Sequence, residues 1–412
     1  MADTAIVRDG PRGSTGRYLF VDALRGIAAL AVFLYHLLRS PMVGPFSRIL
    51  PRPLFMVTDF GARGVQVFFV ISGFVIAHSV CDILPNTSGV GRFILRRQLR
   101  LDPPYWLFLA ITTLAIAIHV PGLSVDPMPS VGGFVANAFY LQRFARVNDV
   151  VGVSWTLSLE IQFYLLFILI LAVGDARSPG SNGPGPLAIG LVFVSGLACL
   201  LDVRNQYIHS NWFFSFWSYF VLGALCHWAT HGLMPKALFA GYAAAFARAI
   251  LVAGNMSSFM ITGLATALVL YVAADWDKMR AWSGGIVLQY LGRISYSLYL
   301  VHTSIIKVIV RKGYALTGER EWPALGWYLL TIVVTMIFAS LFHRVIEVPS
   351  TRWSARLKRR SVRFVNAPVR PTTEILDVVG GKNPSHGTSF VPIDPRDVNS
   401  RSNHVANLGE LT

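Results

Sequence analysis

Ten apolar stretches recur along this 412-residue chain, and they constrain its fold more than any other feature. A helix needs about 20 mostly apolar residues to cross the hydrocarbon core of a bilayer. Hydrophobic residues make up 54% of the chain, whereas charged residues make up only 14%. The pattern therefore predicts an all-α integral membrane protein, a bundle of roughly ten transmembrane helices. The stretches are residues 19–38, 65–80, 105–120, 157–173, 187–201, 212–231, 237–253, 259–274, 287–310 and 325–345.

The net charge of +15 is placed between and after the apolar stretches. Arg92, Arg96, Arg97 and Arg100 lie in what we predict to be a short loop before the third stretch, and a second basic group follows the last stretch. Lys and Arg accumulate in the cytoplasmic loops of membrane proteins. An even number of predicted crossings separates the two groups, so we expect both groups and both termini in the cytoplasm. Topology thus accounts for the charge, and we expect no nucleic-acid partner.

Three segments of different composition follow one another along the chain. Residues 1–17 form a polar, basic arm that we expect in the cytoplasm, and residues 18–349 form a single multi-pass membrane domain. Residues 350–412 are first basic and then rich in Arg, Asn, Ser, Pro and Asp. Such a composition cannot bury a hydrophobic core, so we expect a disordered cytoplasmic tail.

The first apolar stretch contains three ionisable residues, Asp22, Arg25 and His36. Ionisable residues at membrane depth are costly and usually functional. In a helix, Arg25 and His36 are separated by roughly 16 Å along the axis and by only about 20° around it, so they share a face. Arginine can hold phosphate oxygens, and a neutral histidine can accept a proton from a hydroxyl. Alternatively, Asp22 and Arg25 neutralise each other while His36 packs against a neighbouring helix.

Six segments, in order, resemble the signatures of acyltransferase family 3. This family comprises membrane O-acyltransferases that act on bacterial surface polysaccharides, Nod factors and some macrolides. The resemblance extends over nearly the whole membrane domain, from Tyr18 to Pro349. The segments are the spacing from Arg25 to His36, and residues 67–74 (VFFVISGF), 96–106 (RRQLRLDPPYW), 154–164 (SWTLSLEIQFY), 292–302 (GRISYSLYLVH) and 347–349 (EVP).

The resemblance implies a reaction and a set of residues. It implies an O-acyltransferase of the bacterial cytoplasmic membrane that moves an acyl group, acetyl above all, from acyl-CoA to a hydroxyl of a cell-surface polysaccharide, glycolipid or related glycoside. Arg25 and His36 match positions that are essential in the family. Arg96, Arg97 and Arg100 match its cytoplasmic arginine motif and are candidates for binding the CoA phosphates, although lipid contact and topology are an alternative role.

Three further positions have more than one interpretation. Glu160 matches the acidic position of the fourth signature, where it could orient His36 or the acceptor, or could interact with the dipole of a helix N-terminus. His302 is either a packing residue, which we favour, or part of the acceptor site. Arg293 and Ser295 could meet the donor from the other side. The remaining histidines, including His78, His227, His231 and His343, lie at predicted helix ends, where interfacial exposure explains them.

The residues predict acyl-CoA as a co-substrate, no tightly bound cofactor and no metal. Cys81, Cys199 and Cys226 form no metal-ligand pattern. Some family members carry a C-terminal hydrolase-like domain, which the tail here is too short and too polar to form. Transfer would then be completed by the membrane domain or by a separate polysaccharide-biosynthesis protein. The alternatives are a transporter or flippase of a polar glycan, disfavoured by the lack of an internal repeat, and a membrane sensor.

Overall fold

The computed structural model describes residues 18–39, 51, 53, 58–80, 87–123, 127–174, 184–201, 214–254, 257–318 and 320–365. In this part of the chain every regular element is a helix, as predicted. The α-helices are α1 (Leu19–Leu38), α2 (Gly64–Val80), α3 (Thr87–Ala117), α4 (Val131–Ala138), α5 (Ser154–Gly174), α6 (Pro186–Leu201), α7 (Phe214–Thr230), α8 (Lys236–Val252), α9 (Ser257–Asp275), α10 (Gly285–Thr317), α11 (Glu321–Phe342) and α12 (Val348–Val365).

Each of the ten apolar stretches falls on a helix, and eight of them match its bounds to within a few residues. Helix α3 begins well before its stretch, and α10 continues well beyond its own. Five helical segments are long and apolar enough to cross a membrane: Leu19–Leu38, Phe60–Val80, Ser154–Gly174, Ser257–Asp275 and Glu321–Leu357. The class of fold, a helical membrane protein, is confirmed. The number of ten crossings and the cytoplasmic position of both termini remain predictions.

The compact unit that contains the helical bundle ends at Val362, and Arg363–Thr412 form a separate unit. Residues 350–365, which begin the predicted tail, are helical as part of α12. The rest of the tail, the N-terminal arm and Cys81 lie outside the described residues.

The basic segment before the third apolar stretch is helical, so its prediction as a loop is wrong. Helix α3 is continuous over 31 residues and includes both Pro103 and Pro104. A proline inside a helix removes a main-chain hydrogen bond and usually ends or kinks the helix. Here Tyr296 Oη donates to the Leu101 carbonyl oxygen at 2.9 Å, and Tyr140 Oη donates to Asp102 Oδ1 at 2.9 Å. These tertiary contacts hold the chain in place next to the two prolines.

Two glycines bring α1 and α10 into direct backbone contact. A Cβ atom on Gly26 would lie 2.7 Å from the Leu288 carbonyl oxygen, and one on Gly292 would lie 2.1 Å from the Asp22 carbonyl oxygen. The two helices run parallel, because His36 and His302 also meet and each lies ten residues beyond its glycine. Small residues commonly allow such close packing of membrane helices. The contact fixes the relative heights of the residues on α1 and α10.

Helices α2 and α7 pack in the same way. A Cβ atom on Gly73 would lie 2.0 Å from the Phe220 carbonyl oxygen, and one on Gly223 would lie 2.0 Å from the Val70 carbonyl oxygen. These helices are also parallel, since Phe69 packs against Phe216 near their starts and the His78 ring lies 6.3 Å from the His231 ring near their ends.

The close contact between α1 and α10 predicts that Gly292→Ala destabilises the protein. The new methyl group would collide with a backbone oxygen, which cannot rotate away, and overpacking of this kind costs about 1–3 kcal/mol. We expect a lower melting temperature in detergent than for the wild type. Gly241→Ala is the matched control, because Gly241 in α8 has open space around its Cβ position, and there alanine is expected to be neutral or stabilising. Equal melting temperatures for the two variants would contradict the prediction.

Candidate active site

A cavity of about 620 Å³ lies among α1, α2, α3, α5, α10 and the junction of α11 with α12. Its lining includes five arginines and three carboxylates, together with aromatic and aliphatic side chains. This excess of positive charge in a confined space favours an anionic ligand. The charged residues are Arg25, Arg97, Arg100, Arg293, Arg352, Asp22, Glu160 and Glu347.

Arg25 lies on α1 directly before Gly26, the residue that contacts α10. Its guanidinium interacts electrostatically with the carboxylates of Asp22 and Glu160 and with the guanidinium groups of Arg97 and Arg100. Its Nε atom is buried and makes no hydrogen bond to the described residues. A buried guanidinium N–H without an acceptor is costly. Arg25 therefore retains donor capacity that a ligand could satisfy.

Arg97 is held by contacts on α2, α3 and α5. One of its terminal nitrogens donates to Ser79 Oγ at 3.4 Å, and its guanidinium lies over the Tyr164 ring at 5.1 Å and the Phe93 ring at 5.6 Å. Stacking of this kind orients the planar guanidinium and leaves its edge available to an anion.

The arginine motif predicted from the sequence is divided between two sides of α3. Arg97 and Arg100 line the cavity, whereas Arg96 does not. The main chain of Arg96 faces α12, where its carbonyl oxygen accepts a hydrogen bond from Ser354 Oγ at 2.7 Å. The α-helical geometry of α3 explains the division, because adjacent residues point about 100° apart around a helix.

Glu160 lies in the second turn of α5, which begins at Ser154 and has no acidic residue in its first turn. A helix dipole acts mainly on the first turn, so an interaction with the helix N-terminus does not explain this carboxylate. Its Oε1 atom accepts a hydrogen bond from Ser72 Oγ of α2 at 3.1 Å, and its side chain lines the cavity. Glu160 thus provides negative charge next to the arginines, and it makes no contact with His36 among the described hydrogen bonds.

His36 and His302 form a pair at the far end of α1 and α10. His302 Nδ1 lies 2.7 Å from the Tyr299 carbonyl oxygen and 3.1 Å from that of Leu298. Carbonyl oxygens only accept, so Nδ1 of His302 carries the hydrogen, and Nε2 of the neutral ring is an acceptor. That Nε2 lies 3.3 Å from His36 Nδ1, which also lies 2.9 Å from the Val32 carbonyl oxygen.

The same network assigns the tautomer of His36. Its Nδ1 atom has two acceptors, the Val32 carbonyl oxygen and His302 Nε2, so Nδ1 is the atom that donates. The lone pair of neutral His36 therefore resides on Nε2, which is the atom able to take a proton from a hydroxyl. His302 is 1% exposed, so it is a packing residue, as we favoured from the sequence. It also contacts His36, which the sequence did not predict.

The histidine pair lies beyond the deep end of the cavity. Neither histidine lines the cavity, but Tyr299 does, and its ring centre lies 5.8 Å from that of His302. Tyr299 is held by Thr156 Oγ1 at 3.0 Å and by the Phe68 ring at 5.6 Å. Along α10, His302 is about 4.5 Å further from Gly292 than Tyr299 is. The side chains of Tyr299 and Phe68 thus lie at the boundary between the cavity and the histidine pair.

The sequence analysis quoted Glu347, an acidic group where α11 joins α12, only as part of a signature and gave it no role. The helix widens into a π turn over His343–Glu347, a feature that often marks functional sites. Glu347 is 5% exposed, and its Oε2 atom accepts from Ser297 Oγ at 2.6 Å and lies 2.9 Å from His343 Nδ1. His343 lines the cavity, a position that the prediction of interfacial exposure did not include. The sequence feature that could have identified Glu347 as a cavity residue is its position as a lone carboxylate directly after an apolar stretch.

Arg293 and Ser295 line the cavity from α10, as the sequence suggested. Arg352 of α12 lines it as well, although its position among basic residues after the last apolar stretch pointed only to topology. The cavity therefore collects charged groups that are separated by more than 300 residues in sequence.

Comparison with known proteins assigns this arrangement to a family. The family described as an acyltransferase domain, acyltransferase family 3, matches residues 18–344, the region that contains both the histidine pair and most of the cavity. The chain belongs to acyltransferase family 3. This membership confirms the resemblance seen in the sequence signatures and supports acyl transfer over the transporter interpretation.

Relatives of acyltransferase family 3 that resemble this chain come from several bacteria. Acyltransferase MdmB of Streptomyces mycarofaciens is 26% identical, over 84% of this chain and 95% of the relative. Nodulation protein 10 of Rhizobium leguminosarum bv. viciae is 25% identical, over 73% of this chain and 85% of the relative. A protein of Staphylococcus aureus (strain COL) named as an O-acetyltransferase is 25% identical over 80% of this chain, but only 56% of that relative is covered. No solved structure matches the chain.

Proposed function

We propose that this member of acyltransferase family 3 is an O-acetyltransferase of the bacterial cytoplasmic membrane. It takes the acyl group from acyl-CoA and transfers it to a hydroxyl of a cell-surface polysaccharide, glycolipid or related glycoside. One arrangement carries the proposal. An arginine-rich cavity lies next to a histidine pair that has a defined proton acceptor, and the pair lies about one helical turn beyond Tyr299 of the cavity lining.

The arginines support binding of the nucleotide end of CoA. Its phosphates are the groups for which a guanidinium fork is best suited, and Arg25 has a buried N–H without an acceptor among the described residues. A volume of about 620 Å³ is in the range of small-molecule sites. With the phosphates at Arg25, Arg97 and Arg100, the thioester arm would extend along α10 towards Tyr299. Glu160 and Glu347 then balance part of the arginine charge when no donor is bound.

The reaction uses His36 Nε2 as the general base. As the acceptor hydroxyl attacks the thioester carbonyl, its proton moves to Nε2 and a carbon–oxygen bond forms. When the tetrahedral intermediate collapses, the carbon–sulfur bond breaks and the imidazolium returns the proton to the departing CoA sulfur. The same Nε2 lone pair could first attack the thioester and carry the acyl group. A burst of free CoA without acceptor would reveal that route.

The position of His36 supports delivery to an acceptor on the side opposite the donor. If the start of α1 is cytoplasmic, as charge distribution predicts, His36 lies well across the bilayer from Arg25. The name of the Staphylococcus aureus relative supports an oxygen acceptor. Passage of the acyl group to His36 would lead past the side chains of Tyr299 and Phe68, which line the cavity and pack against each other next to the histidine pair.

The proposal is tested by following labelled acetyl from acetyl-CoA into lipid-linked or surface glycan in membranes that contain the protein. Label should reach glycan in an oxygen ester that mild base removes. Export of glycan without incorporation of label would instead favour the transporter.

The contact between the two histidines predicts an unequal effect of two substitutions at residue 302. His302→Leu removes one of the two acceptors for His36 Nδ1–H and leaves only the Val32 carbonyl oxygen. The resulting misplacement of the imidazole is expected to lower kcat by up to about 10²-fold. His302→Gln keeps a side-chain oxygen that can accept, so it should retain more activity. The KM for acetyl-CoA should stay unchanged in both variants, because His302 does not line the cavity. Equal losses for leucine and glutamine would mean that His302 only fills space.

A further inference from the structure

Three histidines that play no part in the cavity meet at the ends of α2 and α7. The side chains of His78, His227 and His231 each offer a ring nitrogen, and these nitrogens all lie within 4.8 Å of one another. The ring centres of His227 and His231 are 3.9 Å apart, and that of His78 is 5.3 Å from His227. Two of the three side chains are exposed, whereas His227 is buried. We refer to these residues as the histidine cluster.

The backbone brings the histidine cluster together. His227 and His231 are four residues apart, so they lie on one face of a helical turn. His78 comes from α2, which is parallel to α7 and touches it at Gly73 and Gly223. The pair at i and i+4 is visible in the sequence, but three complete predicted membrane spans and most of a fourth separate it from its third member, His78. The spacing of histidines alone therefore gave no sign of a three-residue cluster.

Hydrogen bonds to Nδ1 fix the orientation of two rings in the histidine cluster. His231 Nδ1 lies 2.9 Å from the His227 carbonyl oxygen, so Nδ1 donates and the lone pair of the neutral ring is on Nε2. His78 Nδ1 lies 3.5 Å from Tyr18 Oη, an oxygen that can accept in the same way. Histidines that bind metals typically donate the other ring N–H to a carbonyl or similar acceptor, which fixes the orientation of the ring.

We propose that the histidine cluster binds one divalent transition-metal ion of the Zn²⁺ type through three imidazoles, with water as the fourth ligand. Three neutral imidazoles favour Zn²⁺, Co²⁺ or Ni²⁺ over Mg²⁺ and Ca²⁺, which prefer oxygen ligands. The ring nitrogens lie within 4.8 Å of one another, and coordination at about 2.0–2.1 Å would draw them closer together around the ion. The inference is independent of the proposed acyl transfer.

The metal site would connect the ends of α2 and α7 with Tyr18, a residue of the cavity lining. A metal on His78, His227 and His231 joins the ends of α2 and α7. Tyr18, which lines the cavity, packs against the His78 ring at 5.1 Å. Metal binding would therefore fix the side chain of Tyr18 next to the cavity as well as the two helix ends. This gives the ion a structural role and places it outside the group of residues that carry out acyl transfer.

The test uses Co²⁺ as a spectroscopic probe for the full-length protein in detergent, purified with an affinity tag that contains no histidine and treated with a chelator. We expect saturable binding of one Co²⁺ with the visible absorption of a four-coordinate ion, displacement by Zn²⁺, and no displacement by Mg²⁺. Zn²⁺ should also raise the melting temperature. Binding of Co²⁺ without saturation, or saturation at a different stoichiometry, would overturn the proposal.

Substitutions at the two exposed positions locate the ion without disturbing the buried packing. His78→Gln and His231→Gln should each weaken Co²⁺ binding by more than about tenfold, which corresponds to about 1.4 kcal/mol, and should abolish the stabilisation by Zn²⁺. His119→Gln is the matched control, because His119 is an exposed histidine outside the cluster, and it should bind Co²⁺ like the wild type. Undiminished binding by the His78→Gln protein would overturn the proposal, even if the protein binds Co²⁺ elsewhere.

Discussion

Replacing His36 with alanine is expected to lower kcat for acetyl transfer by about 10²–10⁴-fold, the usual contribution of a general base. The KM for acetyl-CoA should remain close to that of the wild type, because His36 lies outside the arginine-rich cavity. The measurement is the initial rate of label transfer at several acetyl-CoA concentrations, in membranes with matched amounts of the folded protein. An alanine at this position removes the Nε2 lone pair, while His302 keeps its own bonds to α10.

Two further measurements separate catalysis by His36 from a structural role. Added imidazole should restore part of the activity of the His36→Gly protein, because the free base can occupy the vacated space next to His302. His119→Ala is the matched control and should transfer label at the wild-type rate. A His36→Ala protein with the wild-type kcat and an unchanged melting temperature would show that the pair of histidines is structural, and a base would then have to be sought elsewhere.

The physics of the bilayer made the helices predictable from the sequence. An apolar stretch has few alternatives to a helix in lipid, since each backbone polar group must be satisfied within its own segment. The cost of burying charge also identified Arg25, His36 and Glu160 as candidates, because each is an ionisable residue in an apolar stretch. The prediction failed at α3, where the cluster of arginines before the third apolar stretch suggested a loop. Contacts of Tyr296 and Tyr140 from distant parts of the chain stabilise the helix there, and these contacts have no local signal.

The composition of the cavity was predictable only in part. The sequence placed Arg96, Arg97 and Arg100 together, but the rotation of α3 separates Arg96 from the other two. Glu347 and His343 were not predicted to belong to the cavity, because their proximity to Ser297 and the cavity depends on how the π turn packs against α10. The pairing of His36 with His302 depends on the parallel contact of two glycines that are distant in sequence. In each case the missing information was the packing of one helix against another.

Replacing Arg25 with alanine is expected to lower kcat/KM for acetyl-CoA by about thirtyfold to several thousandfold. Loss of one partner from a buried, hydrogen-bonded charge pair costs about 2–5 kcal/mol, and each 1.4 kcal/mol corresponds to about tenfold. Most of the loss should appear as a higher KM, in contrast to His36→Ala. Arg25→Lys keeps the charge but lacks the fork that binds two phosphate oxygens, so its KM should lie between those of the wild type and the alanine variant. Arg92→Ala is the matched control, because Arg92 is exposed on α3 and outside the cavity.

The donor itself can be changed to show which part of it Arg25 binds. Acetyl-pantetheine carries the same thioester arm as acetyl-CoA but has no phosphate. If Arg25 binds a phosphate, the wild type should use acetyl-pantetheine poorly, and Arg25→Ala should cause little further loss with this donor, because the interaction is already absent. If Arg25 instead supports the helix bundle through Asp22 and Glu160, the substitution should reduce activity by the same factor with both donors. An equal loss of activity with both donors would therefore contradict phosphate binding by Arg25. A loss seen with acetyl-CoA but not with acetyl-pantetheine would place the nucleotide end of the donor at the arginines. The thioester would then point towards Tyr299 and His36.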